Sequence, residues 1–173
     1  MASFSLHIWN RDQTRVSVVM SKASRQDLEV TGSAVWQTDW TSDYIATDRF
    51  ALYALKTEAG ELVALAAYEV REENLAVHIV YMESQPESNL TQAPVPKYRG
   101  VGRALVAYGI KLSVDAGFNG DVTLDAKTPE LARHYERDFG AFRIPGRNRD
   151  AAPRYLICDE AAQTIFTDYL EED

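Results

Sequence analysis

The sequence predicts an α/β domain built on a mixed, mostly antiparallel sheet flanked by helices. Three observations carry that expectation. Residues 49–82 hold three strand-like runs, "RFALYALK", "ELVALAAYEV" and "LAVHIVYM", joined by the short turns "TEAG" and "REEN", which is the pattern of an antiparallel meander. Two closely spaced glycines, Gly100 and Gly102, then open a long apolar helix pattern that stops at Gly117. Beyond it, strand-like and helix-like stretches alternate to the end of the chain.

Taken in order, "FSLHIW" and "RVSVVM" both alternate apolar and polar residues, and either could be a first strand. Ser24 to Asp27 has the form of a capping box and predicts a helix to about Trp36. Residues 37–48, polar with interleaved aromatics, predict a short helix or a loop. After the meander, residues 83–96 carry three prolines and almost no apolar periodicity. Loops of that length inside compact domains usually serve a site or move. The helix from near Gly102 places Leu105, Gly109, Leu112 and Ala116 on one face with Val106, Ile110 and Val114 beside them. So broad a stripe packs against a sheet. Lys111 and Asp115 pair across one turn, and Gly117 is the expected C-cap.

Asn119 and Gly120 turn the chain into a short strand, "DVTLDA". Thr128, Pro129 and Glu130 then supply an N-cap, a first-turn proline and an early acid for "ELARHYERDFG", which Gly140 ends. Residues 143–153 are basic and irregular. "RYLIC" predicts the last strand, with Cys158 as a small buried residue, and "EAAQTIFTDYL" a terminal helix with Ala162, Ile165, Phe166 and Tyr169 on one face. A terminal strand and an amphipathic helix are also elements from which a homodimer could be built.

A chain of 173 residues, 46% of them hydrophobic, is enough for one domain with a sizeable core. No stretch approaches the roughly 18 apolar residues of a membrane span. "MASFSLHIWN" has polar residues where a secretory signal needs an apolar run, so a cytoplasmic location is expected. Cys158 is the only cysteine, and His7, His78 and His134 are too scattered for metal-ligand spacing, so no metal is expected. Net charge is −8, from 26 acidic and 18 basic residues, which disfavours nucleic acid as a main partner. The basic residues are nevertheless local: Lys97, Arg99, Arg103 and Lys111 gather around the glycine junction, and Arg143, Arg147, Arg149 and Arg154 form a second basic stretch. Such patches on an acidic chain suit a small anion better than a duplex.

A glycine pair that opens a helix is a candidate anion site, because the first helical turn leaves backbone N–H groups unpaired at the positive end of the dipole. Two readings of the hexapeptide are open: Lys97-Tyr98-Arg99-Gly100-Val101-Gly102, which we prefer because it sets Leu105 and Val106 three and four residues after the last glycine, and Arg99-Gly100-Val101-Gly102-Arg103-Ala104. With the meander before it and "LARHYERDFGAF" after it, residues 49–142 resemble the GNAT superfamily of acyl-CoA-dependent N-acetyltransferases. That family's hallmark is a Gln/Arg-x-x-Gly-x-Gly/Ala loop, and here Lys97 stands at the Gln/Arg position.

The resemblance implies a GNAT acyl-CoA N-acyltransferase fold with a sheet that splays next to the glycine loop. It implies that the amides of residues 98–103 bind the pyrophosphate of acetyl-CoA, the cofactor, with Thr128 standing near where the family often has an Asn that contacts the pantetheine arm. Ala132, Tyr135 and Gly140 match the family's Ala-x-x-(Phe/Tyr)-Tyr-x-x-x-Gly-Phe segment, with Ala141 inserted before Phe142. Tyr135 then takes the position of the acid that protonates the departing thiolate; its alternative is a core aromatic alongside Leu131 and Phe139. The amine acceptor must arrive neutral, so a base or water relay is implied near the end of "LAVHIVYME". Glu83 is the first candidate, ahead of His78 and Glu69, and its alternative is a solvated strand end. Amides of Val80, Tyr81 and Met82 would polarise the acetyl carbonyl. Trp36, Trp40 and Tyr44, interleaved with Asp39, Asp43 and Asp48, lie where family members commonly build the acceptor pocket.

The implied activity is direct acetyl transfer to a primary amine of a small molecule or protein in a ternary complex. A catalytically silent acyl-CoA-binding or protein-interaction module that keeps the loop is the alternative. Acetylation of charged tRNA is disfavoured by the charge.

Overall fold

The computed structural model describes residues 1–33, 35–89, 91–145 and 151–172. In chain order the elements are β1 (Ser3–Phe4), β2 (His7–Asn10), β3 (Arg15–Lys22), α1 (Arg25–Glu29), β4 (Ala51–Thr57), β5 (Leu62–Arg71), β6 (Ala76–Ser84), β7 (Tyr98–Arg99), α2 (Val101–Asp115), β8 (Val122–Asp125), α3 (Pro129–Phe139), β9 (Phe142–Ile144), β10 (Arg154–Ile157), α4 (Asp159–Thr167) and β11 (Leu170–Glu171). Short 3-10 turns follow α1, β5 and β6.

The chain forms two compact units that interleave in sequence: Met1–Tyr68 with Tyr81–Leu105 and Tyr169–Asp173, and Glu69–Val80 with Val106–Asp168. Strands β5 and β6 and helix α2 contribute residues to both.

In the first unit the strands run β7-β2-β3-β4-β5-β6. The β2–β3, β3–β4 and β4–β5 pairs are antiparallel, with His7 opposite Ser17, Met20 opposite Leu55 and Ala54 opposite Leu65. Ile8, Val18, Leu55, Val63 and Leu65 are buried among them. Each such side chain withdrawn from water contributes roughly 1.5–3 kcal/mol, and cutting Leu65 back to Ala costs about 2–5 kcal/mol. β1 and β11 pair separately, Phe4 opposite Leu170.

In the second unit the order is β5-β6-β8-β10-β9. β6 and β8 are parallel from Val77↔Val122 to Ile79↔Leu124, whereas β10 is antiparallel to both β8 and β9. Val77, Val122, Leu124, Ile157 and Ile165 fill this core.

The expected meander is present, and both alternating N-terminal segments are strands. Four elements differ from expectation. The capping box forms, with Ser24 Oγ accepting from the Asp27 N–H and the Asp27 carboxylate from the Ser24 N–H, but the helix stops at Glu29 rather than near Trp36. The β-branched Val30 and Thr31 and then Gly32 are poor helix formers, and Thr31 turns its hydroxyl back to the Leu28 carbonyl at 2.6 Å. Described residues between 35 and 48 are turns, so of the two forms expected there it is the loop that forms. The basic stretch contains β9, three residues long, while Gly146 to Asp150, including Arg147 and Arg149, lie outside the described residues. Helix α4 ends at Thr167, so Tyr169 is buried beyond it, and Cys158 is half-buried at the N-cap of α4 rather than inside the last strand.

Candidate active site

The glycine junction is fixed from several sides within the first unit. The Lys97 N–H donates to the Glu87 carbonyl at 2.8 Å and the Tyr98 N–H to Ser88 Oγ at 3.1 Å. Lys97 Nζ lies 2.8 Å from the Glu61 carboxylate, which also accepts from the Tyr98 hydroxyl at 2.6 Å. Burial pushes the Glu61 carboxyl up, but the bonds from Lys97 and Tyr98 outweigh it and hold the group below its ordinary value. The Tyr98 phenol is raised, by burial first and then by Glu61.

At the turn itself Gly100 has φ +79°, which only glycine adopts without strain, and a Cβ there would sit 3.3 Å from Trp9 Cδ1. The first helical bond of α2 runs from the Ala104 N–H to the Gly100 carbonyl at 3.1 Å, so the amides of Val101, Gly102 and Arg103 precede the ladder. The Tyr68 hydroxyl donates to the Leu105 carbonyl at 2.6 Å and anchors this first turn. Nothing approaches within 4 Å of where a Gly102 Cβ would point. The amides of 101–103 thus lie outside the helical ladder, whereas that of Tyr98, expected to bind the pyrophosphate, is spent on the loop. Of the cations expected around the junction, Lys97 is paired with Glu61 and Lys111 with Asp115, and Arg99 is exposed.

Glu83 is no solvated strand end. It is 9% exposed, and its two carboxylate oxygens accept from the Gln37 backbone N–H at 2.7 Å and from Trp40 Nε1 at 3.0 Å. The Trp40 N–H in turn donates to Thr31 Oγ1 at 2.8 Å, and Gln37 Nε2 donates to Thr91 Oγ1 at 2.6 Å. Trp36 and Trp40, expected to face substrate, are buried at 8% and 1% exposure. They anchor the turn segment, and its open aromatic ring is Tyr44, 58% exposed and edge-on to Tyr81 at 6.0 Å. Asp39, Asp43 and Asp48 are exposed; Asp39 accepts from the Thr41 hydroxyl and N–H, which lower its pKa. Val80, Tyr81 and Met82 are half-buried on β6, which runs on to Ser84 after the register with β8 ends at Ile79.

In the second unit, α3 begins as its sequence predicts, with Thr128 Oγ1 accepting from the Leu131 N–H at 3.1 Å and Pro129 in the first turn. The Thr128 oxygen thus caps the helix instead of standing free for a pantetheine amide. Gly140 closes α3 at φ +64°, the glycine position of the tyrosine segment, and Phe142 is exposed on β9. Tyr135 is buried, packed near-parallel to Phe139 at 6.1 Å and edge-on to Tyr155 at 6.3 Å. Burial, and after it the Asp125 charge, raises its phenol above the ordinary value and keeps it protonated at neutral pH.

His78 is a satisfied interior histidine. Its Nδ1 is 2.7 Å from Thr123 Oγ1, and burial, reinforced by Arg71 and Arg154, lowers it to about 4. Glu69 pairs with Arg71 at 2.7 Å. Asp125 holds Arg154 through two bonds, at 2.8 and 3.2 Å. Sequence reasoning passed over Asp125, although it closes a strand and faces Arg154 across the β8–β10 register. No cluster of three or more metal-ligating side chains occurs among the described residues, and none of their helices is long and apolar enough to cross a membrane.

No family model matches the chain, and neither does any curated protein sequence. Solved structures do. AAC(6')-Ib in complex with paromomycin and acetyl-CoA aligns with a TM-score of 0.57 at 16% identity, over 85% of this chain and 96% of that one. The fold is that of the GNAT acetyltransferases. A chimera of spermidine N-acetyltransferase SpeG from Vibrio cholerae and hSSAT shares the GNAT fold with a TM-score of 0.56 at 11% identity, over 86% and 97% of the two chains. A GNAT-family acetyltransferase from Staphylococcus aureus does so with 0.53 at 12%, over 80% and 97%.

Proposed function

We propose that this chain transfers the acetyl group of acetyl-CoA to a primary amine by direct attack in a ternary complex. The observation that supports this best is the start of α2. Three amides precede the helical ladder, Gly102 leaves open the space that a Cβ would fill, and Gly100 is held in a left-handed turn against Trp9. Such a turn supports binding of a pyrophosphate there.

In the reaction the neutral amine nitrogen would attack the thioester carbonyl carbon, the C–S bond would break, the thiolate would take the Tyr135 hydroxyl proton, and the proton shed by the acylated nitrogen would restore the Tyr135 phenol. With its pKa raised, the phenol is protonated at neutral pH, as a proton donor must be. Amides of Val80 to Met82, on the part of β6 beyond its β8 register, would polarise the carbonyl. The amine must first lose a proton. Glu83 either accepts it through a water or holds the segment that admits the amine, two roles that the pH dependence of turnover separates. Neighbours that share the fold are named for spermidine and for a complex with paromomycin, and an amine-bearing acceptor would suit the exposed Tyr44 ring and the acidic side chains around it. A cytoplasmic location, where acetyl-CoA is made available, fits this reading.

The test is a calorimetric titration with acetyl-CoA followed by an amine screen. Stoichiometric binding and coenzyme A release with an amine are expected. Binding without turnover on any amine would favour a silent acyl-CoA-binding module, and no binding would overturn the acetyltransferase reading.

A further inference from the structure

Two side chains of β6, Tyr81 and Glu83, point two residues apart toward the same turn segment, and they hold it by different means. Tyr81 meets Trp40 and Tyr44 edge-on, at 6.4 and 6.0 Å. Glu83 receives the Gln37 N–H on one oxygen and the Trp40 indole N–H on the other. Both donors come from a stretch with no helix or strand of its own. Besides backbone turns such as Ser42 N–H to the Asp39 carbonyl at 3.1 Å, side chains hold it: Glu83 from β6, Thr31 from the turn after α1 and Thr91 from the loop before β7.

We infer that Glu83 is a positioning residue, which fixes residues 37–44 so that Tyr44 and the neighbouring carboxylates are presented to the acceptor, and is not the base that deprotonates it. This rests on the acetyltransferase reading for its consequence but not for its geometry. The carboxylate already uses both oxygens on the chain's own N–H groups and is nine-tenths buried. A glutamine keeps one acceptor oxygen and turns an NH2 toward the second donor, leaving a buried N–H unmet.

The experiment is Glu83→Gln, alone and combined with Trp40→Phe, read by hydrogen exchange of peptides covering 35–48, by acetyl-CoA calorimetry, and by the pH profile of acetyl transfer to 1,4-diaminobutane as the amine probe. Expected is exchange about tenfold faster in 35–48 alone, unchanged acetyl-CoA affinity, an amine KM raised about tenfold and an unshifted pH profile. In the Trp40→Phe background, where a single acceptor suffices for the Gln37 N–H, Glu83→Gln should add little further exchange. Unchanged exchange in 35–48, or a collapse of kcat with loss of the acidic limb of the profile, would overturn the inference. Failure of the native protein to bind acetyl-CoA would overturn the acetyltransferase reading instead, and the exchange data would still decide what Glu83 holds.

Discussion

Helix α3 closes its own first turn, with Thr128 accepting from the Leu131 N–H and Pro129 bringing no N–H of its own, whereas helix α2 begins at a glycine that has no side chain to offer. Both are preceded by turn residues, and both carry a motif that the sequence singles out. The difference decides what each can contribute. α2 presents backbone amides at its start, and α3, already satisfied at its start, presents a side chain two turns in, at Tyr135. On the proposed reading, it is the caps that suit α2 to an anion and α3 to donating a proton.

The comparison can be broken most forcefully on α3. Tyr135→Phe keeps the ring against Phe139 and Tyr155 and removes only the hydroxyl, so kcat should fall by roughly 10²–10⁴ with acetyl-CoA affinity retained. Retained turnover would reduce Tyr135 to a core aromatic. On α2, Gly102→Glu enters open space and leaves the fold alone, but sets a carboxylate beside the amides that precede the helical ladder. Calorimetry should show acetyl-CoA binding weakened by about a hundredfold or more. Gly100 is the wrong residue for this test, since any side chain there strains the turn and presses Trp9.

Smaller effects sharpen the contrast. Thr128→Ala removes the cap of α3 and should lower stability by about 1 kcal/mol in a denaturant melt, with no loss of acetyl-CoA binding. The clamp before α2 has its own pH signature. Because the folded Glu61 pKa is depressed by Lys97 and Tyr98, its contribution is present above the ordinary carboxylate range of about 4 and is lost as pH falls through the folded value. The pair is partly solvated, so the effect should stay below about 1 kcal/mol, and Glu61→Gln should remove it from an acid unfolding curve.

Long periodic elements were legible in the sequence: β3 to β6, α2 and α3 follow from alternation, helical stripes and caps, and so does the glycine turn. Strands β1, β7, β9 and β11 were not, because two or three residues cannot display a period, and the partners of β1, β7 and β11 lie far along the chain. α1 was overextended because its cap was weighed and its stop, Val30-Thr31-Gly32, was not. The candidate site divides in the same way. Gly100, Gly102 and Tyr135 announce themselves in local motifs. The role of Glu83 depends on Gln37 and Trp40, more than forty positions earlier, and no local pattern records that link.

The Trp9 indole that excludes a side chain at position 100 also gives the protein an optical probe. Of its three tryptophans, Trp36 and Trp40 are shielded, whereas Trp9 is 40% exposed and stands against the turn that opens α2. Emission from Trp9 should therefore respond when an anion settles on that turn while the other two stay silent, so that occupancy can be followed by fluorescence in the native chain without a label.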